Sequence, residues 1–310
     1  MTAPARMNPT VFIVGAEKSG TSAMYWNLQA HPQILSCFVK EANSFDRPGF
    51  SGDGLDWFRY RALFPLRPLA WLLAQISGKR VISFETTPGL FASEKGIDLL
   101  KKRYPDAKII FTMRNPIERA YSGFMNGRKS GNYQGTFDDH IRKYSHFYKV
   151  NKEKILQFPE FNGESALRMS LYAPFVQKFL DIYGEKNCLF IRFENYKENF
   201  FPTHVRMCEF MGIQPCMKQN FMPIIASRRP GISADTVQSL NELFAPYNAA
   251  LISLLGPDFQ WDTDFSGGQD DAADDKFVSI PPGQMPAAWS GDWVDISRIG
   301  RISDFKKILG

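Results

Sequence analysis

The chain is poor in the features that mark several protein classes. Its 310 residues include only four cysteines, Cys37, Cys188, Cys208 and Cys216. They form no C-x-x-C pair and no metal-ligand spacing, which argues against a zinc module or a disulfide framework. They read as reduced, mostly buried thiols of a cytoplasmic protein. No run approaches the roughly 18 apolar residues a membrane span needs. The most apolar helix-like stretch, PLAWLLAQI (68–76), is short and reads as a buried or interfacial helix, so no integral membrane segment is expected. No signal-peptide pattern precedes the first apolar strand, and no internal repeat is visible. Charge is scarce too: the net value is +5, and the basic residues are not clustered. That suits an anionic small ligand and gives no reason to expect a nucleic acid partner.

Aromatics, by contrast, are abundant, with 27 Phe, 11 Tyr and 6 Trp. They are enough to fill the core of one large α/β domain. Apolar β-branched runs at 10–15, 80–86, 107–113 and 188–193 read as strands. Helices are predicted at 20–30, 93–104, 116–126, 165–183, 202–211 and 234–255. Segments 32–66 and 127–164 read as loop-rich and irregular. This alternation predicts a three-layer α/β fold around a central, mostly parallel sheet. Residues 1–261 read as the domain. Residues 262–310 read as an acidic linker followed by an apolar tail that docks on the domain or on a second copy, giving a possible homodimer.

The stretch VFIVGAEKSGTSAM (11–24) resembles a phosphate-binding P-loop with its lysine displaced. Gly15 and Gly20 keep the glycine spacing and Ser22 supplies the hydroxyl, but Thr21 stands where the lysine belongs. Lys18 lies inside the loop instead. Backbone N–H groups of Ser19, Gly20, Thr21 and Ser22 at a helix start form an anion site. Any strand-to-helix turn can carry glycine and hydroxyls, so the loop alone leaves a small-molecule kinase, a non-catalytic nucleotide binder and another transferase open. A triphosphatase normally has a metal-holding acid at a neighbouring strand end. The third strand ends in Arg114, and Glu85 of the second is the one candidate acid; no metal site is expected.

Taken together, GAEKSGTSAMYWNLQAHPQI, KEANSFD, FETTPGLF and FTMRNPIERAYSGFMN resemble the sulfotransferase family, nearest its carbohydrate (heparan sulfate-type) branch and bacterial relatives. The likeness runs from about residue 10 to Trp261. It implies a P-loop-like fold and metal-free transfer of a sulfuryl group from 3′-phosphoadenosine 5′-phosphosulfate (PAPS) to a hydroxyl-bearing acceptor, leaving adenosine 3′,5′-bisphosphate (PAP). It assigns Lys18 to Ser22 to the 5′-phosphosulfate, with Lys18 on the bridging oxygen, and Arg114 and Ser122 to the 3′-phosphate. Ser170 and Tyr172 fall at a helix start that contacts the nucleotide. Arg228 and Arg229 fall in a late basic loop that closes over it. Glu41 matches the general base, and burial in a cleft is expected to raise its pKa; a salt bridge to Lys40 is its plainer role. His31 is the other candidate base, with a structural role favoured. Arg119 reads as a surface residue. One position departs from the pattern: Thr86 replaces a lysine, so its hydroxyl or Lys40 is expected to substitute.

Overall fold

The computed structural model describes residues 5–150, 165–216 and 232–261. Four strands, β1 (Val11–Gly15), β2 (Phe84–Thr86), β3 (Lys108–Met113) and β4 (Cys188–Arg192), form one parallel sheet in the order β2-β1-β3-β4. β1 is followed by α1 (Thr21–Gln29), α2 (Gly54–Ala62) and α3 (Arg67–Ser77). α4 (Glu94–Arg103) joins β2 to β3. Then come α5 (Pro116–Lys129), α6 (Phe137–Val150), α7 (Ser165–Arg168) and α8 (Tyr172–Tyr183) before β4. α9 (Phe193–Glu198), α10 (Phe200–Met211) and α11 (Ala234–Leu255) complete the described fold.

Strand side chains alternate between two cores, as the two-residue period of a pleated strand requires. Phe12, Val14, Ile109, Phe111 and Phe190 face a core that includes Tyr172, Phe175 and Phe179 of α8. Val11, Ile13, Ile110, Leu189 and Ile191 face another, built with α1 and α10. The helices therefore cover both faces of the sheet and give the expected three layers. A third cluster joins α5, α6, α7 and α11 through Phe124, Phe137, Leu167, Leu240 and Phe244.

Four boundaries differ from the expectation, each for a local reason. The second strand is shorter because residues 80–83 turn to the segment after α1: the N–H of Ile82 donates to Gln33 O at 2.9 Å and that of Leu35 to Ile82 O at 2.9 Å. The long helix at 165–183 is two pieces. Pro174 has no N–H and its ring excludes the carbonyl four residues back, so α8 must start close before it. Segment 127–164 contains α6, opened by a capping box in which Thr136 Oγ1 accepts from the N–H of Asp139 at 3.1 Å and Asp139 Oδ2 from that of Thr136 at 3.3 Å. Segment 32–66 contains α2. The 67–77 helix leaves Trp71 and Ile76 exposed and buries only Leu73 fully. Arg228, Arg229 and the expected linker and tail at 262–310 lie outside the described residues.

Candidate functional site

Parallel sheets bind ligands beyond the carboxyl ends of their strands, at the point where the strand order reverses. Here that point lies between β1 and β3, and the loop of residues 15–20 sits there. Its backbone is fastened on both sides. The N–H of Ala16 donates to Thr112 O at 2.6 Å, and that of Glu17 to Pro88 O at 3.1 Å. Thr112 Oγ1 donates to Ser19 O at 3.0 Å. Lys18 and Gly20 adopt left-handed φ values of 69° and 83°. Glycine is required at 20: a Cβ there would come within 2.5 Å of the Phe193 ring. Gly20 also precedes α1 without any side chain to cap it. The N–H groups of the first turn, Thr21 and Ser22 among them, thus remain for an anion to satisfy. Ser19 and Thr21 are buried and Ser22 is exposed.

Arg114 leaves the end of β3 beside this loop. Asn115 caps α5 by accepting from Ile117 N at 3.0 Å, and Pro116 occupies the first helical position. The Arg114 side chain is not a free fork. Its Nε and Nη2 donate to Glu118 Oε2 at 2.8 and 2.6 Å. Two of five N–H donors are so used, which fixes the guanidinium plane and leaves its other edge. The guanidinium carbon stands 5.3 Å from the centroid of Phe193. One ring at the end of β4 thereby supports both the loop glycine and the arginine. Tyr172 anchors the Arg114 backbone: its hydroxyl donates to Arg114 O at 2.9 Å and receives Arg114 N–H at 3.3 Å. Burial pushes the Tyr172 phenol up to about 12. Ser122 is buried on α5, two turns beyond Arg114. Glu194 closes the edge by accepting from Asn115 N at 2.8 Å and Trp261 Nε1 at 2.9 Å.

Glu41 approaches from the β2 side. It has φ 62° and Asn43 has φ 45°, a left-handed pair that costs energy at the glutamate. The turn is held from below. Asn43 N–H donates to Thr87 Oγ1 at 3.2 Å, and Thr87 donates to Glu85 Oε1. Glu85 is 1% exposed, and burial pushes its carboxyl up to about 8, which favours the neutral form beneath the turn. Glu41 itself pairs with Lys40, the plainer of its two expected roles. Thr86, where the resemblance leads one to expect a lysine, is buried with its hydroxyl unpartnered among the described residues. Glu41, Glu17, Pro88 and Gly89 open onto a cavity of about 440 Å³, walled by α5 and α7 on its far side.

Three other expectations resolve as structural roles. His31 is buried at the far end of α1. Its Nδ1 accepts from Gln33 N at 3.1 Å and its Nε2 lies 2.9 Å from Gln214 O. Burial drops it to about 4. Arg119 is not a surface residue: it is 1% exposed, donating to Ala166 O at 3.0 Å in the wall of the cavity. Ser170 donates to Ala166 O at 3.3 Å. The sequence reading missed Glu118, Phe193 and Glu17. Glu118 was readable as the i+4 partner of Arg114; Phe193, whose role is steric, left no signal beyond its place at a strand end.

A sulfotransferase domain model matches residues 8–226. The chain is 25% identical over 286 residues to mouse heparan sulfate glucosamine 3-O-sulfotransferase 6, covering 83% of this chain and 75% of that one. It is 28% identical over 218 residues to bovine bifunctional heparan sulfate N-deacetylase/N-sulfotransferase 2, covering 67% of this chain and 22% of the relative. Among solved structures, a sulfotransferase from Alicyclobacillus acidocaldarius superposes with a TM-score of 0.58 at 25% identity, covering 80% of this chain and 95% of that one. The matched span holds the loop, the end of β2, Arg114 and Ser122, and the chain belongs to the sulfotransferase family.

Proposed function

We propose that this enzyme binds PAPS across the β1–β3 edge and transfers its sulfuryl group to the hydroxyl of an acceptor lodged in the cavity beside Glu41. The observation that carries this reading is the shared seat on Phe193: the loop glycine and Arg114 rest on one ring, so an anion site at each end of a nucleotide is built on a single support. The uncapped first turn of α1 and the crowded Gly20 are what a close-fitting phosphate cradle requires. PAPS, the family's donor, supplies an activated sulfuryl group.

The residues then divide the work. Lys18, Ser19, Gly20, Thr21 and Ser22 hold the 5′ end, and Lys18 with the helix N-terminus stabilises charge on the departing phosphate oxygen. Arg114 and Ser122 hold the 3′-phosphate, and Arg228 and Arg229 complete the nucleotide's cover. Tyr172 acts one step back, fixing the backbone of Arg114. Glu41, released from Lys40, takes the acceptor proton as the new S–O bond forms and the old one breaks. Lys40 is then freed beside the sulfuryl group, where the missing family lysine would stand. The unbridged cysteines suit the reducing cytoplasm; cell fractionation checks that location.

Calorimetry tests the core of the proposal. PAP binds without metal, and ATP with Mg²⁺ binds at least tenfold more weakly. A preference for ATP·Mg²⁺ favours a kinase and overturns the assignment.

A further inference from the structure

Helix α3 is apolar around its whole circumference, yet it lies at the surface. From Pro68 to Ile76 its one polar side chain is Gln75. A helix of that composition is ordinarily covered on all sides. This one buries only Leu73 fully, and leaves Trp71 65% and Ile76 48% exposed. Both of its ends are tied to the segment that leads to Glu41. Before it, Leu63 O accepts from Phe38 N–H at 2.9 Å. After it, Arg80 O accepts from Gln33 Nε2 at 2.7 Å. The tied segment exposes Phe38 and Val39. Tyr25 donates to Cys37 O at 3.0 Å and carries the exposed Trp26 ring 5.0 Å from its own. With Leu66, just before α3, these make six of the eight large apolar side chains exposed among the described residues. A surface of this kind marks an interaction site.

Charge decides what covers it. Residues 57–84 hold five basic residues, Arg59, Arg61, Arg67, Lys79 and Arg80, and no acidic one. Arg61 is buried, donating to the carbonyls of Met7 and Arg6, but Arg59, Arg67 and Arg80 are exposed. Arg67 is the first residue of α3, and Arg80 lies two residues past its cap, Gly78. Neither forms an ion pair among the described residues. Cations thus bracket the apolar face. A second copy docked by two-fold symmetry would set this rim against itself, cation against cation. An anionic bilayer instead offers hydrocarbon to Trp71 and Ile76 and phosphates to the arginines, and tryptophan favours that boundary. We infer that α3 and the adjoining Phe38–Val39 edge form a docking surface for an anionic lipid membrane. The protein lies on it peripherally, with the chain entering Lys40 and Glu41 at headgroup level. No described helix is long and apolar enough to cross a membrane, and none is needed.

Co-sedimentation of the full chain with vesicles tests this, comparing phosphatidylcholine alone with phosphatidylcholine containing about one-third phosphatidylglycerol. Binding should require the anionic lipid and weaken as salt is raised. Trp71→Ser should lower partitioning at least about tenfold, and Arg67→Gln and Arg80→Gln about fivefold each; circular dichroism confirms that each variant is folded. A nitrobenzoxadiazole label on Ile76→Cys, read against the unsubstituted chain treated alike, reports where the face lies. Its emission should shift to the blue only on the anionic vesicles. A blue-shifted label without vesicles overturns the inference: if independent of protein concentration, the cover is the chain's own residues 262–310, and if it grows with concentration, a second copy. Equal binding to both vesicle types, no binding to either, or partitioning unchanged in all three variants overturns it as well.

Discussion

At the scale of single residues, the site is set by how charges are held before a ligand arrives. Arg114 is oriented by Glu118 and backed by Phe193, so its free edge is aimed without further ordering. Arg114→Ala should weaken PAP by about 30- to 1,000-fold, equivalent to ~2–4 kcal/mol for a lost charge-assisted contact that also leaves a phosphate unpaired. Calorimetry checks this, and an unchanged affinity rejects the 3′-phosphate assignment. Glu41 makes a different prediction. Glu41→Gln keeps the shape and the PAP affinity, while turnover falls by about 10² to 10⁴, the usual weight of a general base. Full activity in that variant removes Glu41 from the chemistry. His31 offers no substitute: it is buried and hydrogen-bonded at both ring nitrogens, so His31→Gln should act on stability rather than on pre-steady-state transfer.

At the scale of elements, the loop and the end of β4 form one mechanical unit. Gly20→Ala forces a Cβ into the Phe193 ring at a backbone angle unfavourable to alanine. PAP affinity should fall at least about tenfold. Phe193→Leu in the same chain should recover part of that loss, because it relieves the clash but not the φ strain; the coupling is read from a double-mutant cycle. No recovery would mean that the ring does not limit the loop. The loop itself was legible in the sequence because glycine spacing and hydroxyls follow an apolar strand. Arg114 was legible because it ends another strand before Asn-Pro, a helix start. What the sequence did not disclose was pairing across distance: the ring under Gly20, the burial of Arg119 against Ala166, and the Glu85–Thr87–Asn43 post beneath Glu41. These join residues far apart in the chain, and local pattern carries no record of such contacts. α6 is a different miss, since Thr136 and Asp139 announce its start at capping-box spacing.

At the scale of the whole molecule, buried titratable groups set how stability depends on pH, and they pull in opposite directions. Three of the four histidines are held far below the ordinary value of about 6.5: His31 and His140 at about 4 and His204 at about 3, burial being the main cause in each. Below about pH 6.5 the unfolded chain takes up protons at these sites that the folded chain refuses, so stability falls as pH drops through that window. Glu85 behaves in the opposite sense. Its carboxyl is raised from 4.5 to about 8, so between those values the folded chain keeps a proton the unfolded chain has lost. Stability therefore falls as pH rises towards 8. Among these four groups, Glu85 acts alone between about pH 6.5 and 8, whereas three histidines oppose it below that range. The melting temperature should peak at about pH 6.5 and decline on both sides. Glu85→Gln keeps an acceptor for Thr87 but cannot ionise, so it should flatten the decline between about pH 6.5 and 8 and steepen the acid limb, where the histidines then act unopposed; above pH 8 Cys37, Cys188 and Cys208, raised by burial to about 12, continue the decline in both proteins. Differential scanning calorimetry from pH 4.5 to 8.5 on both proteins reads the result. If the two alkaline limbs superimpose, Glu85 is not protonated in the fold, and the neutral post under the Glu41 turn has to be replaced by a charged one.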